Sequence, residues 1–500
     1  MSLQTIHHDV VILGAGFGGL GMGAQLIRAG IDDFVIFDKA PALGGVWHDN
    51  AYPGAACDTE AHLYCYSFFP HLRVSRMYAD RDELLGYMER LAAEYALDEH
   101  LMFNAEVTSA QWDADAALWR LEIAGSGEQH TARVFVPAWG QLNTPLIPDF
   151  PGLDEFRGDA FHSARWDDSI DLAGKKVISI GAAASAVQYV PEVAKVAREL
   201  AVFQRSANWI MPRNQIIFSK EQLDEFEQNP ETFAASRRHL HAFRESGFER
   251  TRHATDAQRA GVEQALAHLE AQVTDPDLRR KLTPDYEFGC KRILRSDDYF
   301  PALMRDNVQL VTDGIEAIVP EGVRTRDGQV HEADVIIFGT GFSSQAFQGD
   351  LRVIGDAGKD LKERWTGGAE AYLGITVDGF PNMFMVYGPN TNLNHNSIIT
   401  MLEIQQEYIL QALKHLLDLP GASAAVRAQV VESFNEQLQG EMEGSAFSSD
   451  CSSWYKNAAG KVINNWSGTV EEYRRMAGTW SKADFLLSDA EVQMQEAAST

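Results

Sequence analysis

The chain has 500 residues, with 71 acidic and 43 basic side chains and a formal net charge of −28 at pH 7. This excess of negative charge disfavours nucleic acid and anionic membranes as partners. Five hundred residues exceed a single hydrophobic core, so two or three domains are expected. The composition, 45% hydrophobic and 23% charged, is that of an ordinary globular protein.

The sequence contains no apolar run long enough to span a bilayer. Met1 leads directly into a predicted strand, so we expect no signal peptide. The four cysteines, Cys57, Cys65, Cys290 and Cys451, form neither a C-x-x-C pair nor a zinc pattern. We therefore predict a cytoplasmic protein without a metal site, in which the cysteines are small buried side chains.

The first chemical signal is a buried strand that enters a glycine-rich turn. An apolar strand over 10–13 precedes G-A-G-F-G-G, a helical stretch follows, and a second strand over 34–37 ends on Asp38. Glycines permit the tight turn, the helix N-terminus attracts pyrophosphate, and the acid can bind a ribose hydroxyl. This pattern predicts an FAD site whose first residues are Gly14, Gly16, Phe17, Gly18, Gly19 and Asp38.

A second unit repeats this architecture with the opposite charge. A strand over 177–180 precedes G-A-A-A-S-A, and the next strand ends on Arg205-Ser206. The distance from first glycine to final side chain is the same in both units, since 38 − 14 = 24 and 205 − 181 = 24. Arginine at this position suits a 2′-phosphate, so the second unit predicts an NADPH site. Its candidate residues are Gly181, Ala183, Ala184, Ser185, Ala186, Gln188, Arg205 and Ser206, with Ala183 and Ala186 replacing the second and third glycines.

The predicted fold class is α/β, with two Rossmann-like dinucleotide-binding domains. A proline-rich joint near 145–152 separates them. We assign residues 1–144 plus 380–500 to the FAD domain and 145–379 to the NADPH domain. A polar stretch with helical periodicity predicts a helical insertion at about 214–285, and a long helix is predicted over 397–418.

Two further segments carry a family resemblance. Residues 45–58 match G-x-W-x(4)-Y-P-G-x(3)-D, and residues 156–167 match F-x-G-x(3)-H-x(3)-W-D. Together with the two loops, they resemble the fingerprints of type I Baeyer–Villiger monooxygenases, a family of class B flavoprotein monooxygenases. Segments 203–209, 289–292, 388–393 and 453–455 resemble later parts of the same family, so the likeness covers nearly the whole chain.

The resemblance implies an enzyme that uses FAD, NADPH and O₂ to insert one oxygen atom next to a ketone carbonyl. The product is an ester or lactone formed through a C4a-peroxyflavin, and sulfoxidation is an expected side activity. The alternative is a flavin-containing N- or S-oxygenase, but those relatives typically carry another aromatic residue in place of Trp166. A disulfide reductase would need a close cysteine pair, and a flavoprotein that is not an enzyme is a third alternative.

The resemblance also assigns residues. Arg292 corresponds to the catalytic arginine, and Asp58 to its carboxylate partner. Lys291 would join Arg205 and Ser206 at the 2′-phosphate, and Trp454 would contact the nicotinamide end. Other FAD candidates are Lys39, Gly45, Val46, Trp47, Tyr64 and Val107, whereas His162 is expected in the linker between the domains. Ala56 and Ser343 depart from the family pattern, in which arginine and an acid are common at these positions.

Overall fold

The computed structural model describes residues 5–345 and 347–488. Predicted domain residues 1–4 and 489–500 lie outside this part of the chain. The strands are β1 Thr5–Leu13, β2 Phe34–Phe37, β3 Leu101–Met102, β4 Val107–Asp113, β5 Leu118–Ile123, β6 Gln129–Pro137, β7 Asp159–His162, β8 Lys176–Ile180, β9 Glu199–Phe203, β10 Ile210–Met211, β11 Leu294–Arg295, β12 Val308–Val311, β13 Ile315–Val319, β14 Gly322–Thr325, β15 Val330–Glu332, β16 Val335–Phe338, β17 Arg352–Ile354, β18 Ser423–Val426 and β19 Phe485–Ser488. The α-helices are α1 Phe17–Arg28, α2 Val46–Asp49, α3 Arg81–Glu94, α4 Ala184–Val196, α5 Lys220–Gln228, α6 Pro230–Ser246, α7 Asp256–Gln272, α8 Pro276–Leu282, α9 Tyr299–Leu303, α10 Leu361–Arg364, α11 Ile398–Asp418, α12 Ala428–Met442 and α13 Val470–Ala477.

A seven-stranded sheet forms the centre of the first domain, in the order β17-β4-β5-β6-β1-β2-β3. Strand β1 is parallel to both β2 and β6. Val10 and Ile12 pack with residues of helices α1 and α11, whereas Val11 packs on the opposite face with Trp119 and Phe135. Burial on both faces explains why β1 is a continuous apolar run rather than an alternating one.

Five parallel strands form the second sheet, in the order β12-β9-β8-β16-β7. Helices α4 and α9 pack on it through a buried cluster that includes Val190, Tyr299 and Phe300. In each sheet one strand leads through a glycine loop into a helix, β1 into α1 and β8 into α4. This arrangement confirms the predicted α/β class. No helix within the described residues is long and apolar enough to cross a membrane.

The predicted boundary between the domains requires one correction. Strand β17 pairs in parallel with β4, and Leu361 and Trp365 pack in the apolar cluster of the first sheet. These residues therefore lie with the first domain, although the prediction places 145–379 in the second. The reason is that β17 has only three residues, and so short an edge strand gives no periodic signal.

The helical segments follow the prediction. Helices α5 to α8 occupy the predicted insertion, and α11 begins directly after Ser397, whose hydroxyl accepts a hydrogen bond from the N–H of Ile399. Residues 384–389 form no strand, although the N–H groups of Phe384 and Val386 donate to main-chain carbonyls of β6.

Candidate active site

The first glycine of each loop occupies the same backbone position. Gly14 has φ of 107° and Gly181 has φ of 111°, a conformation that L side chains rarely adopt. A Cβ atom on Gly14 would lie 2.6 Å from the carbonyl oxygen of Ala138, and one on Gly181 would overlap the carbonyl oxygen of Gly339. The first loop thus packs closely against the chain that follows β6, and the second loop against the chain that follows β16.

The second position is equivalent in the two loops, although its residue differs. Gly16 has φ −82° and ψ −171°, and Ala183 has φ −90° and ψ −159°. Alanine adopts this extended conformation without strain, so the substitution preserves the course of the loop. No described side chain caps α1 or α4, so the first N–H groups of both helices remain available to phosphate oxygens.

The third position shows why one loop needs glycine and the other does not. A Cβ atom on Gly19 would overlap the carbonyl oxygen of Gly14. Ala186 is fully buried in the apolar cluster between α4 and the second sheet, where its methyl group is accommodated. The packing of α4 therefore tolerates the alanine that α1 excludes.

Asp38 lies at the end of β2, as the sequence predicts. Its carboxylate accepts hydrogen bonds from the N–H groups of Ala15 at 2.6 Å and Ala40 at 2.8 Å. Burial raises the pKa of Asp38, and the two N–H donors oppose this rise. The residue joins the glycine loop to the end of β2, which places a hydrogen-bond acceptor where a ribose would lie.

A cavity of about 1080 Å³ extends from the first glycine loop to the start of α4. It exceeds the usual 300–1,000 Å³ of a site for one small ligand. Most of the predicted site residues line it: Gly14, Gly16, Phe17, Gly18, Asp38, Lys39, Gly45, Val46, Trp47, Asp58, Tyr64, Val107, Ala184, Ser185, Gln188 and Arg292. The cavity therefore brings together residues of both predicted cofactor sites.

Asp58 and Arg292 form an ion pair at this cavity. The guanidinium Nη2 donates to Oδ1 at 2.6 Å and to Oδ2 at 2.7 Å, across a sequence separation of 234 residues. Burial would raise the pKa of Asp58, but Arg292 outweighs it and holds that pKa below its usual range. Because both bonds use Nη2, the pair leaves the other N–H groups of Arg292 free of Asp58.

Lys291, Arg205 and Ser206 form a second cluster outside the described lining of the cavity. The Lys291 ammonium donates to the Ser206 hydroxyl at 2.9 Å. Burial lowers the pKa of Lys291, and the neighbouring charge of Arg205 lowers it further. Two cations and a hydroxyl at the end of β9 are a donor set suited to a phosphate.

The aromatic candidates separate into two places. Trp47 and Tyr64 line the cavity, and the indole N–H of Trp47 donates to the Tyr64 hydroxyl at 3.3 Å. Trp454 packs against Tyr455, with ring centroids 4.7 Å apart, and its carbonyl accepts from the Ser344 hydroxyl. Among the described residues, Trp454 therefore lies beside the cavity rather than in its lining.

His162 is the last residue of β7, an edge strand of the second sheet, so the prediction that it lies in the linker between the domains is wrong. Its Nδ1 accepts from the N–H of Ala164 at 3.1 Å, and its Nε2 lies 3.0 Å from the carbonyl oxygen of Gly341. A neutral ring with its proton on Nε2 satisfies both contacts, and burial lowers the pKa of His162. The ring thus links β7 to the chain that leaves β16.

The prediction that the four cysteines are simply small buried side chains is correct for two of them and wrong for the other two. Cys57 and Cys65 are buried free thiols, as predicted. Cys290 and Cys451 instead form a disulfide across a sequence separation of 161 residues. This bond joins the segment of Lys291 and Arg292 to the segment of Trp454, a proximity that spacing along the chain does not indicate.

Gln188 of helix α4, a residue of the predicted site, connects the two domains by hydrogen bonds. The Gln188 side chain donates to the carbonyl of Ala56 at 2.8 Å and accepts from the Tyr52 hydroxyl at 2.9 Å. Ala56, where the family commonly has arginine, thus contributes its main chain to the domain contact.

Sequence reasoning missed Tyr387, which lines the cavity with φ of 64°. Its N–H donates to Gln405 and its hydroxyl donates to Asn392, which hold this uncommon conformation. The buried pair Glu60 and Arg244 was missed as well. The only available signal was the position of Glu60 two residues after Asp58.

Comparison with known proteins agrees with this arrangement. A family model described as flavin-binding monooxygenase-like matches residues 7–218. A Baeyer-Villiger monooxygenase of Pseudomonas aeruginosa is 39% identical over 96% of this chain and 92% of its own length. One of Streptomyces coelicolor is 41% identical over 94% of this chain and 90% of its own.

A solved structure, OTEMO in complex with FAD and NADP, superposes with a TM-score of 0.87 at 26% identity. The match covers 96% of this chain and 99% of that one. Identity near 40% over almost the full length shows the family directly, and it favours the ketone-oxidising family over the N- and S-oxygenases. The chain belongs to the Baeyer–Villiger monooxygenases.

Proposed function

We propose that Arg292 is the catalytic arginine of an FAD- and NADPH-dependent oxygen insertion next to a ketone carbonyl. The observation that carries this proposal is the Asp58–Arg292 pair, which lines one cavity together with residues of both glycine loops. Asp58 orients the guanidinium, and the remaining N–H groups serve the reacting oxygen atoms.

The two domains divide the cofactors in this proposal. The first loop, Asp38 and the residues around Trp47 and Tyr64 hold FAD, because they combine an uncapped helix N-terminus with a carboxylate and a largely apolar wall. The second loop binds the NADPH pyrophosphate, and Lys291, Arg205 and Ser206 bind its 2′-phosphate. Bound FAD supplies the redox chemistry, from hydride acceptance to the activation of O₂.

The protein contributes orientation and charge. Asp58 raises the pKa of Arg292 further above its ordinary value, so the guanidinium stays protonated through the reaction. A fixed cation stabilises negative charge on the oxygen of an attacked ketone, and one such donor contributes about 3–4 kcal/mol in comparable sites. This role requires no serine or cysteine nucleophile.

We further propose that the partners are a small-molecule ketone and O₂, without nucleic acid, because the net charge of −28 repels polyanions. A cytoplasmic location stays a prediction. This prediction rests partly on the cysteines. Disulfides are rare in reducing compartments, so the Cys290–Cys451 bond does not support a cytoplasmic location.

Replacement of Asp58 by asparagine tests the pair. Asparagine keeps the shape but offers Arg292 one uncharged acceptor, so the guanidinium loses its fixed orientation. We expect the rate of ester formation to fall about 100-fold while FAD content is unchanged, since small misplacements of reacting groups cost about this much. The measurement is ester yield per NADPH consumed; a wild-type yield would remove Asp58 from the mechanism.

The same variant has a signature in its pH dependence. Because the pKa of Asp58 is depressed, the wild-type pair is intact above the usual range of a carboxyl group and breaks as pH falls through the lowered pKa. The asparagine side chain of Asp58→Asn does not titrate, so the loss of activity attributable to this group at acid pH should be absent from the variant.

Replacement of Lys291 by alanine tests the phosphate site. NADPH carries the 2′-phosphate and NADH does not, so the two coenzymes provide an internal control. We expect the KM for NADPH to rise about 10- to 150-fold, because one charge-assisted contact contributes about 1.5–3 kcal/mol. The KM for NADH should stay within about twofold. An equal change for both coenzymes would place Lys291 elsewhere.

A further inference from the structure

A buried arginine of helix α6, Arg244, connects the insertion to the segment of Asp58 in the first domain. The Nε of Arg244 donates to Oε2 of Glu60 at 2.8 Å, and its Nη2 donates to the main-chain carbonyl of Asp58 at 3.0 Å. Only 10% of the Arg244 side chain and 6% of the Glu60 side chain are exposed. A single guanidinium thus holds the backbone of Asp58 and a carboxylate two residues later.

Glu60 is anchored on its other side as well. Its Oε1 accepts from the Tyr78 hydroxyl at 3.1 Å. The main chain of Tyr78 in turn exchanges two hydrogen bonds with the Gln215 side chain, at 3.0 and 2.9 Å. Both carboxylate oxygens of Glu60 therefore have a buried partner, which gives Arg244 a rigid counter-ion rather than a mobile one.

A further arginine holds the residue before Asp58. The Nη2 of Arg213 donates to the carbonyl of Cys57 at 3.0 Å, and its guanidinium lies 5.4 Å from the Tyr78 ring centroid. With Arg292 on the Asp58 carboxylate, three arginines from separate segments of the chain hold two consecutive residues. A structural ion pair alone would not need this convergence.

We infer that Arg244 is a positioning residue for catalysis, which fixes the Asp58 carboxylate against Arg292 by holding the Asp58 main chain and Glu60. The helical insertion thereby becomes part of the catalytic apparatus rather than a surface addition. This inference rests on the proposed roles of Arg292 and Asp58.

The local charges support this role. Arg292, Arg244 and Arg295 face Asp58 and Glu60, so the group carries one more positive than negative charge. After Arg292, Arg244 and Arg295 also lower the pKa of Asp58 against the effect of burial. Removal of Arg244 should therefore raise the pKa of Asp58. The neighbouring groups that also feel the charge of Asp58 are Tyr52, Cys57 and Tyr64, whereas Tyr78 feels the charges of Glu60, Arg295 and Arg244.

Arg237 provides a matched control on the same helix. Its guanidinium also binds main-chain carbonyls of the first domain, those of His62 and Cys65, and it pairs with the buried Glu403 at 3.2 Å. None of these contacts reaches Asp58. Arg237→Gln thus removes an equivalent anchor of α6 without touching the proposed pair.

The experiment compares Arg244→Gln with Arg237→Gln in the FAD-loaded enzyme, with cyclohexanone as the ketone probe. We expect Arg244→Gln to keep its FAD, to keep the KM for ketone within about twofold, and to lose about 10-fold in kcat for ester. The acid limb of its kcat profile should move to higher pH, because a carboxylate that loses a cation titrates at higher pH. Arg237→Gln should show neither change, even if its melting temperature falls as far.

Two further variants keep the test decisive if Arg244→Gln folds poorly. The double variant Glu60→Gln/Arg244→Gln leaves no unpaired buried charge, yet it still frees the Asp58 carbonyl, so the same loss of kcat is expected. Arg244→Lys keeps the positive charge but lacks the planar donors that bind Glu60 and the Asp58 carbonyl together. The acid limb of its pH profile should therefore lie near that of the wild type, whereas its kcat should stay lower.

A wild-type kcat for ester formation in the double variant would overturn the inference, as would a loss of kcat and a shift of the acid limb in Arg237→Gln equal to those of Arg244→Gln. FAD content and melting temperature, which do not depend on turnover, show whether the fold is intact. Failure of the proposed function is a separate outcome, because it would appear as normal ester formation by Arg292→Ala, whatever Arg244 does.

Discussion

Replacement of Arg292 by alanine is expected to reduce ester formation by at least about 10²- to 10³-fold while FAD stays bound. The cavity loses the cation that lies 2.6 Å from Asp58, so negative charge on the ketone oxygen has no fixed partner. NADPH should still be consumed, since the proposed nicotinamide and phosphate contacts are untouched. The measurements are flavin absorbance, NADPH consumption, ester and hydrogen peroxide in the same sample.

Arg292→Lys is the control for this variant. Lysine keeps a positive charge but lacks the planar set of donors that can bind Asp58 and a second oxygen together. We expect an ester rate between those of the wild type and Arg292→Ala, with the lost product recovered as hydrogen peroxide. Loss of FAD from Arg292→Ala would instead mean that this residue supports cofactor binding.

The second large effect is expected from Gly19→Ala, in the first turn of α1. The new Cβ atom would overlap the carbonyl oxygen of Gly14, so either the loop or the helix must shift. Overpacking of this kind costs about 1–3 kcal/mol, which corresponds to FAD binding that is about 5- to 150-fold weaker. Titration of the apoprotein with FAD, followed by flavin fluorescence, measures this directly.

Gly440→Ala provides the matched control. Gly440 lies within helix α12, and a Cβ atom there would meet nothing within 4 Å. Alanine should leave FAD affinity unchanged and stabilise the helix by up to about 1 kcal/mol. If Gly19→Ala binds FAD as tightly as Gly440→Ala does, the close contact between α1 and the first loop is not required.

The parts of the fold that could be predicted are those whose signal is local. The apolar runs of β1 and β8, the glycine turns after them and the side chains that end β2 and β9 lie close together in sequence within each unit. The equal spacing of 24 residues from Gly14 to Asp38 and from Gly181 to Arg205 reflects a repeated strand-turn-helix-strand geometry. Such a unit forms its site from its own residues, so its sequence is sufficient to identify it.

The remaining features depend on contacts between distant segments. Asp58 and Arg292 meet across 234 residues, and only the family resemblance indicated that they form a pair. Cys290 and Cys451 meet across 161 residues, and nothing in their spacing predicts the disulfide. Arg244 lies in a polar, arginine-rich helix, where sequence alone does not distinguish it from solvent-exposed arginines.

At Ala183 the sequence suggests a difference between the two loops that the structure does not show. The motif alone treats this residue as a departure from the second glycine, but the backbone angles of Ala183 and Gly16 differ by no more than 12°. The motif records which residue is usual, whereas the structure shows which backbone conformation is required, and alanine satisfies it.

The central claim is that the Asp58–Arg292 pair directs oxygen insertion next to a ketone. The most direct measurement is the mass of the product formed from cyclohexanone under ¹⁸O₂ by the FAD-loaded wild type and by Arg292→Ala, with NADPH as reductant. We predict a lactone that carries one ¹⁸O atom from the wild type, and hydrogen peroxide without lactone from the variant. Labelled lactone from Arg292→Ala at the wild-type yield would contradict the claim.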